Sequence, residues 1–149
     1  MNILSKLRRF LAFPMAEKRL LLKVFATVAL IRLALWVLPF KQILNWVKRN
    51  LVEKPNHTEV EAGWFIWAVV VSSRLVPRAT CLTQALSAQL LLAQYGFESD
   101  LRIGVARDEK GTFEAHAWLE QNGHIILGGR HDLARYATLP SLELYSKLG

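Results

Sequence analysis

The stretch from Pro77 to Gly96 constrains this chain more than any other. Pro77 breaks whatever precedes it, Thr80 can accept hydrogen bonds from the first free amides of a helix, and Tyr95-Gly96 is a left-handed C-cap signal. Between these marks, Cys81 to Gln94 is apolar on nearly every side, and a helix apolar all round is a buried one. The pattern predicts a central helix with Thr80 as its N-cap and Cys81 in its first turn. Cys81 is the only cysteine. A thiol at a helix start meets the positive end of the macrodipole, which favours thiolate. That is how a nucleophile is built.

A nucleophilic thiol needs a base. Thr112-Phe113-Glu114-Ala115-His116-Ala117-Trp118-Leu119-Glu120 suits a strand, and Asn122-Gly123 is the strongest short hairpin signal, so His116 sits on a strand leading into a tight turn. A lone Cys with a His elsewhere in the chain is a candidate nucleophile pair, adjacent in space rather than in sequence. The bland alternative is that Cys81 is a small buried hydrophobe and His116 a satisfied strand residue.

These residues carry a resemblance. Cys81-Leu82-x-Gln84-Ala85-Leu86, then Leu101-x-Ile103-Gly104-Val105, then Ala115-His116-Ala117-Trp118-Leu119-Glu120 resembles the bacterial transglutaminase-like cysteine peptidases. More narrowly, it resembles the leader peptidases of lasso-peptide biosynthesis, the B proteins in their stand-alone form. The similarity runs from about Trp64 to Gly129, with a looser match in the basic, apolar N-terminal third. It implies an α+β fold with a papain/transglutaminase-like core, in which the Cys-bearing helix packs on a small antiparallel sheet carrying the His. It implies a leader peptidase of the cytoplasm, with Cys81 as nucleophile, His116 as base and no cofactor. It also implies three partners: the leader region of a precursor peptide, a leader-recognition protein, and an ATP-dependent lasso cyclase. No Gly-x-x-x-x-Gly-Lys-Ser/Thr occurs, so ATP use by this chain itself is not expected.

The third catalytic group is where the chain departs from the family pattern. The family carries an acid on the strand after the histidine, about a dozen residues on. Here Leu127-Gly128-Gly129 holds that place. A strict two-residue turn at Asn122-Gly123 pairs Gln121 with His124 and sets Gly129 opposite His116. The nearest acid beyond is Asp132. Glu120 shares the His116 face but lies about 13 Å along the strand, at roughly 3.3 Å per residue. Asp132 is the candidate orienting group, and a Cys81–His116 dyad assisted by a carbonyl or a water stays open beside it. The Cys81 amide is one candidate oxyanion donor. Gln84 reads as a structural hydrogen-bonder, and Trp118 as a roof over the site or core. Arg74, Arg78 and Arg102 are surface cations available to a peptide's carboxylates. His124 and His131 form no metal spacing with His116, so no metal site is expected.

A chain of 149 residues with 52% hydrophobic content is long enough for one folded core. One cysteine excludes an internal disulfide and a Cys-rich zinc cage, and a free thiol fits a reducing cytosol. The formal charge of +7 gathers in the first third and points to an acidic partner or a membrane surface. Nucleic acid is the remaining class and is not the expected partner.

Two units are expected: residues 1–55, a basic, apolar helical extension, and residues 56–149, the peptidase core. In the first, residues 1–13 read as an amphipathic helix, Ala16 to Leu38 as a long apolar helix ended by Pro39, and Phe40 to Asn50 as a short one. Lys23 and Arg32 divide the apolar run, which favours a buried or partner-covered helix over membrane attachment. Residues 53–57 are a loop. Thr58-Glu59-Val60-Glu61 is a capping box opening a helix that would bury Trp64, Ile66, Trp67, Val70 and Val71. Three antiparallel strands follow the central helix, near Asp100–Ala106, Thr112–Glu120 and His124–Leu127, then a loop and a terminal helix over 139–148. Two other function classes stay open: acyl transfer without hydrolysis on the same fold, and a non-catalytic partner- or membrane-binding protein.

Overall fold

The structure, a computed structural model, describes residues 5, 8, 11, 12, 14–51 and 60–139. The helix expected over 1–13, the loop at 53–57 with the unit boundary at 55, the capping box at 58–61 and the helix over 139–148 lie outside these residues, wholly or for the most part.

Among the described residues four helices with defined bounds precede the sheet: α1 (Met15–Val37), α2 (Phe40–Asn50), α3 (Ala62–Ser73) and α4 (Cys81–Gln94). The strands are β1 (Asp100–Arg107), β2 (Phe113–Gln121), β3 (His124–Leu127) and β4 (Ala137–Thr138), with a 3-10 turn at Leu133–Arg135. They form one antiparallel sheet in the order β3-β2-β1-β4. The class is α+β, as expected.

Helix α4 begins and ends where its caps dictate. Thr80 Oγ1 accepts from the Thr83 amide at 3.4 Å, and Thr83 Oγ1 accepts from the Thr80 amide at 3.4 Å. At the other end Gly96 takes φ +82°, and the Phe97 amide donates to the Leu92 carbonyl at 2.9 Å, closing a Schellman-type cap. Thr83 and every residue from Ala85 to Ala93 are buried. Side chains from α1, α2, α3 and the sheet (Val28, Val47, Phe65, Leu119 among them) join those of α4 in one continuous core.

This packing corrects two readings of the sequence and refines a third. Helix α3 buries Phe65, Ala68, Val69, Ser72 and Ser73, one position out of phase with the expected Trp64 and Trp67 set. The Phe65 ring stacks on Tyr95 at 4.7 Å, whereas Trp67 is 46% exposed. Helix α1, expected to be buried or covered by a partner, buries one stripe: Val24, Val28 and Ile31 face the core while Leu22, Leu30, Leu33 and Trp36 stand in solvent. The sheet has a fourth strand, β4, which pairs Gly104 with Thr138 and Val105 with Ala137. Two apolar residues at the exit of a loop carry too little periodicity to announce a strand.

The α3 phase has a direct test. Phe65→Ala empties a fully buried ring site and should cost about 3–5 kcal/mol in denaturant unfolding. Trp67→Ala should cost about 1 kcal/mol or less, as an exposed substitution does. The reverse order would restore the phase read from the sequence.

Candidate active site

Cys81 occupies the first position of α4, half-buried against the edge of the helical core. The Thr80 cap satisfies the Thr83 amide, and helix geometry leaves the Cys81 and Leu82 amides without an intrahelical acceptor. One turn on, Gln84 Nε2 donates to Ser73 Oγ at 2.8 Å, and Ser73 Oγ donates to the Val70 carbonyl at 2.8 Å. Gln84 is therefore a brace between α4 and α3, the structural role its position suggested.

His116 lies on β2, the strand that packs against α4. Alternation gives β2 two unlike faces. Ala117 and Leu119 enter the helical core, while Glu114, His116, Trp118 and Glu120 lie on the other side. His116 is buried, and its Nε2 is 2.7 Å from the Gly128 carbonyl oxygen. A carbonyl only accepts, so Nε2 carries the proton and the neutral ring keeps its lone pair on Nδ1. Nδ1 takes no hydrogen bond among the described residues and is not among the buried polar atoms left without a partner.

Gly128 makes this contact possible. Its φ is +79°, and a Cβ there would stand 2.8 Å from the Ala117 carbonyl oxygen and 3.1 Å from the Trp118 Cα. Only glycine brings its backbone this close to β2 in this conformation. The turn before it is the expected two-residue one, with Asn122 at φ +51° and Gly123 at φ +77°. The register is not strict, however. Gln121 pairs with His124 and Glu120 with Ile125, but Leu119 pairs with Leu127, so Ile126 is an extra residue in β3. The pairing that would set Gly129 opposite His116 is displaced by one residue.

Two aromatic rings lie against the imidazole. The Trp118 indole stacks near-parallel at 6.2 Å, and the Tyr136 ring lies tilted at 5.8 Å. Trp118 Nε1 donates to Glu120 Oε1 at 2.9 Å, and Arg102 Nε donates to Glu120 Oε2 at 3.2 Å. Glu120 thus orients Trp118, and Arg102 is occupied by that carboxylate. Gly104, the β1 partner of His116, leaves room for this stack. A Cβ there would fall 2.9 Å from both the Trp118 ring and the Tyr136 Cβ.

Asp132 does not bond to His116. Its carboxylate takes Arg130 Nε at 2.9 Å and Nη2 at 3.2 Å, and Arg135 Nη2 at 3.0 Å. The hydrogen bond from Arg130 is the main reason its carboxyl is held down at about 2. Arg135 continues to Glu114 Oε2 at 2.9 Å, which also accepts from the Tyr136 hydroxyl at 3.1 Å. Burial first, then that bond, raises the Tyr136 phenol. The Asp132 clamp therefore shapes the loop that delivers Tyr136 to the imidazole.

Of the sequence-derived candidates, α4 and β2 bring Cys81 and His116 onto elements in contact, and Asp132 stands apart from the ring. Among the described residues Cys81 Sγ takes no hydrogen bond, so thiol and imidazole are not joined in this structure. Sequence reasoning missed Gly104, Gly128 and Tyr136. The only signal for Gly128 was its position, the place where the resembling family carries an acid.

A family model described as the transglutaminase-like superfamily matches residues 25–141, well over half of the chain. No curated protein and no solved structure matches it.

Two outcomes follow from the geometry. Nitrogen-15 NMR of the neutral His116 ring should show the Nε2–H tautomer, and the Nδ1–H form would rule out donation to Gly128. Asp132 is ionised more readily in the folded chain than at its ordinary value of 3.8, so its stabilising contribution is present above that value and drains as pH falls towards 2. Melting temperature should therefore fall less steeply between pH 5 and pH 2 in Asp132→Asn than in the wild type, and parallel curves would contradict the clamp.

Proposed function

Because the chain belongs to the transglutaminase-like superfamily, which includes cysteine peptidases and acyltransferases, we propose that it is a cysteine peptidase working through Cys81 and His116. The observation that carries this reading is the Nε2–Gly128 contact. It leaves Nδ1 as an open base on the strand packed against the helix that begins with Cys81. Nδ1 takes the Sγ proton, and the thiolate attacks the substrate carbonyl carbon. Negative charge on the carbonyl oxygen is met by the Cys81 amide, free at the helix start. The tetrahedral species collapses as His116 returns the proton to the leaving amine, and an acyl-enzyme remains. Water, deprotonated by the same Nδ1, then releases the acid. An amine in place of water would give transfer, the second reading that this site can serve.

On this reading the Cys81 thiol and the His116 imidazole, which share no hydrogen bond here, come together in the substrate complex. Gly128 then does the work usually assigned to an acid. Its carbonyl sets the tautomer and ring orientation, although a neutral dipole stabilises imidazolium less than a carboxylate would. Asp132 takes no part in the proton transfers.

The substrate we assign is the leader segment of a ribosomally made lasso-peptide precursor. The Cys-Leu helix start and the Ala115-His116-Ala117-Trp118 strand, which resemble the leader peptidases of that pathway, support it. On this reading a leader-recognition protein delivers the precursor, an ATP-dependent cyclase consumes the product, and the reduced thiol belongs in the cytoplasm.

The test pairs chemistry with product analysis. Cys81→Ala and His116→Ala should abolish leader removal from a purified precursor. Alkylation of Cys81 by iodoacetamide should be fast at neutral pH and lose that speed in His116→Ala. Gly128→Ala should cut turnover at least about tenfold, since losing an orienting group can cost up to roughly 10⁴, while Asp132→Asn stays within about threefold. Cleavage at a near wild-type rate by Cys81→Ala would end the proposal, and an amide product in place of an acid would move the activity to transfer.

A further inference from the structure

The positive charge of this chain is not spread over its fold. Residues 14–51 hold seven basic side chains and one acid, Glu17, a net of +6. Residues 60–139 hold seven basic and eight acidic side chains, a net of −1. The part that carries Cys81 and His116 is close to neutral, and the excess lies on α1 and α2.

Most of the exposed large apolar side chains lie on the same two helices. Opposite the inward stripe of Val24, Val28 and Ile31, helix α1 turns Leu22, Leu30, Leu33, Trp36 and Val37 to solvent, with Trp36 77% exposed. Across the turn at Pro39, Phe40 and Trp46 are also exposed, Trp46 by 52%. A groove of about 560 Å³ between the two helices joins the patches, lined by Leu30, Ala34, Leu38, Ile43 and Trp46, with Arg49 at its polar side. A contiguous apolar surface of this kind marks an interaction site.

We infer that α1 and α2 dock this protein on an anionic lipid surface, lying in the plane of the headgroups. An apolar stripe ending in tryptophans, with lysine and arginine beside it, is what an interfacial helix requires. The aliphatic and indole groups enter the acyl boundary while the cations meet lipid phosphates. Docking of a second copy on this face would bring two segments of net +6 together, which charge opposes. Helix α1 is long and apolar enough to cross a membrane, but its inner stripe is committed to the core. Lys23 is likewise tied to the domain, with Nζ 3.1 Å from the Tyr95 hydroxyl and 4.7 Å above that ring. Withdrawing α1 into a bilayer would expose the core beneath it, so the helix lies flat. This inference is independent of the catalytic reading.

Sedimentation of the full-length protein with sucrose-loaded vesicles decides the matter. Vesicles of phosphatidylcholine with one quarter phosphatidylglycerol should bind it, and pure phosphatidylcholine or high salt should weaken binding at least about tenfold. Trp36→Asp, Leu33→Asp and the pair Lys41→Glu with Arg49→Glu should each lose about tenfold or more, since one basic group near an anionic leaflet is worth a factor of roughly five. Melting temperatures of these variants should stay near wild type, because all four side chains are exposed. Absence of binding by the folded protein, or binding indifferent to charge and to these variants, would overturn the inference. So would a solution dimer that Trp36→Asp dissociates, a protein partner that occupies the face in place of lipid, or protein that alkaline carbonate fails to strip from the vesicles.

Discussion

Every side of α4 has to be covered, and the rest of the fold follows from that requirement. The residues from Ala85 to Ala93 are all buried, and no single neighbour can shield a full cylinder. Helices α1, α2 and α3 take one part of its circumference, and β1 and β2 take another. Since Cys81 is the first residue of α4, the cover that buries the helix also sets the position of the thiol. The Thr80–Thr83 box then fixes which amides at that end stay free.

Strand β2 joins this core to a second, smaller one. Its Ala117 and Leu119 complete the wall around α4, and its opposite face carries His116 in a stack of Trp118 and Tyr136. Two glycines make that stack fit: Gly104 yields space to the rings, and Gly128 brings a carbonyl to Nε2. A backbone carbonyl is a modest acceptor beside a carboxylate, yet it cannot donate, and that alone determines the tautomer. The acids of the neighbourhood work at one remove. Glu120 holds the indole, and Asp132 with Glu114 holds the arginines of the loop around Tyr136.

The N-terminal helices answer to two solvents at once. Their inner stripe meets the requirement of α4 for cover, and their outer stripe is as apolar as the inner one without being packed. Segregating the chain's positive excess onto this outer layer leaves the His116 side nearly neutral. The bare apolar face and the His116 side are therefore different surfaces of the molecule.

What the sequence determined by itself was everything carried by local chemistry. The caps of α4, the extent of α2 and β3, the two-residue turn at Asn122-Gly123 and the α+β order are set by residues within a few positions of one another, and each was legible. Cys81 and His116 stood out because few side chains can act as nucleophile and base. What only the tertiary structure decided were the relations between distant segments. The extra residue Ile126 shifts the register of β3, the phase of α3 is chosen by the Phe65–Tyr95 stack, and Tyr136 arrives from a loop with no periodic signal. The partner of Nε2 is a backbone oxygen, which every residue possesses and no side chain announces. Its role depends on how closely Gly128 approaches β2, and that distance exists only once the sheet has formed.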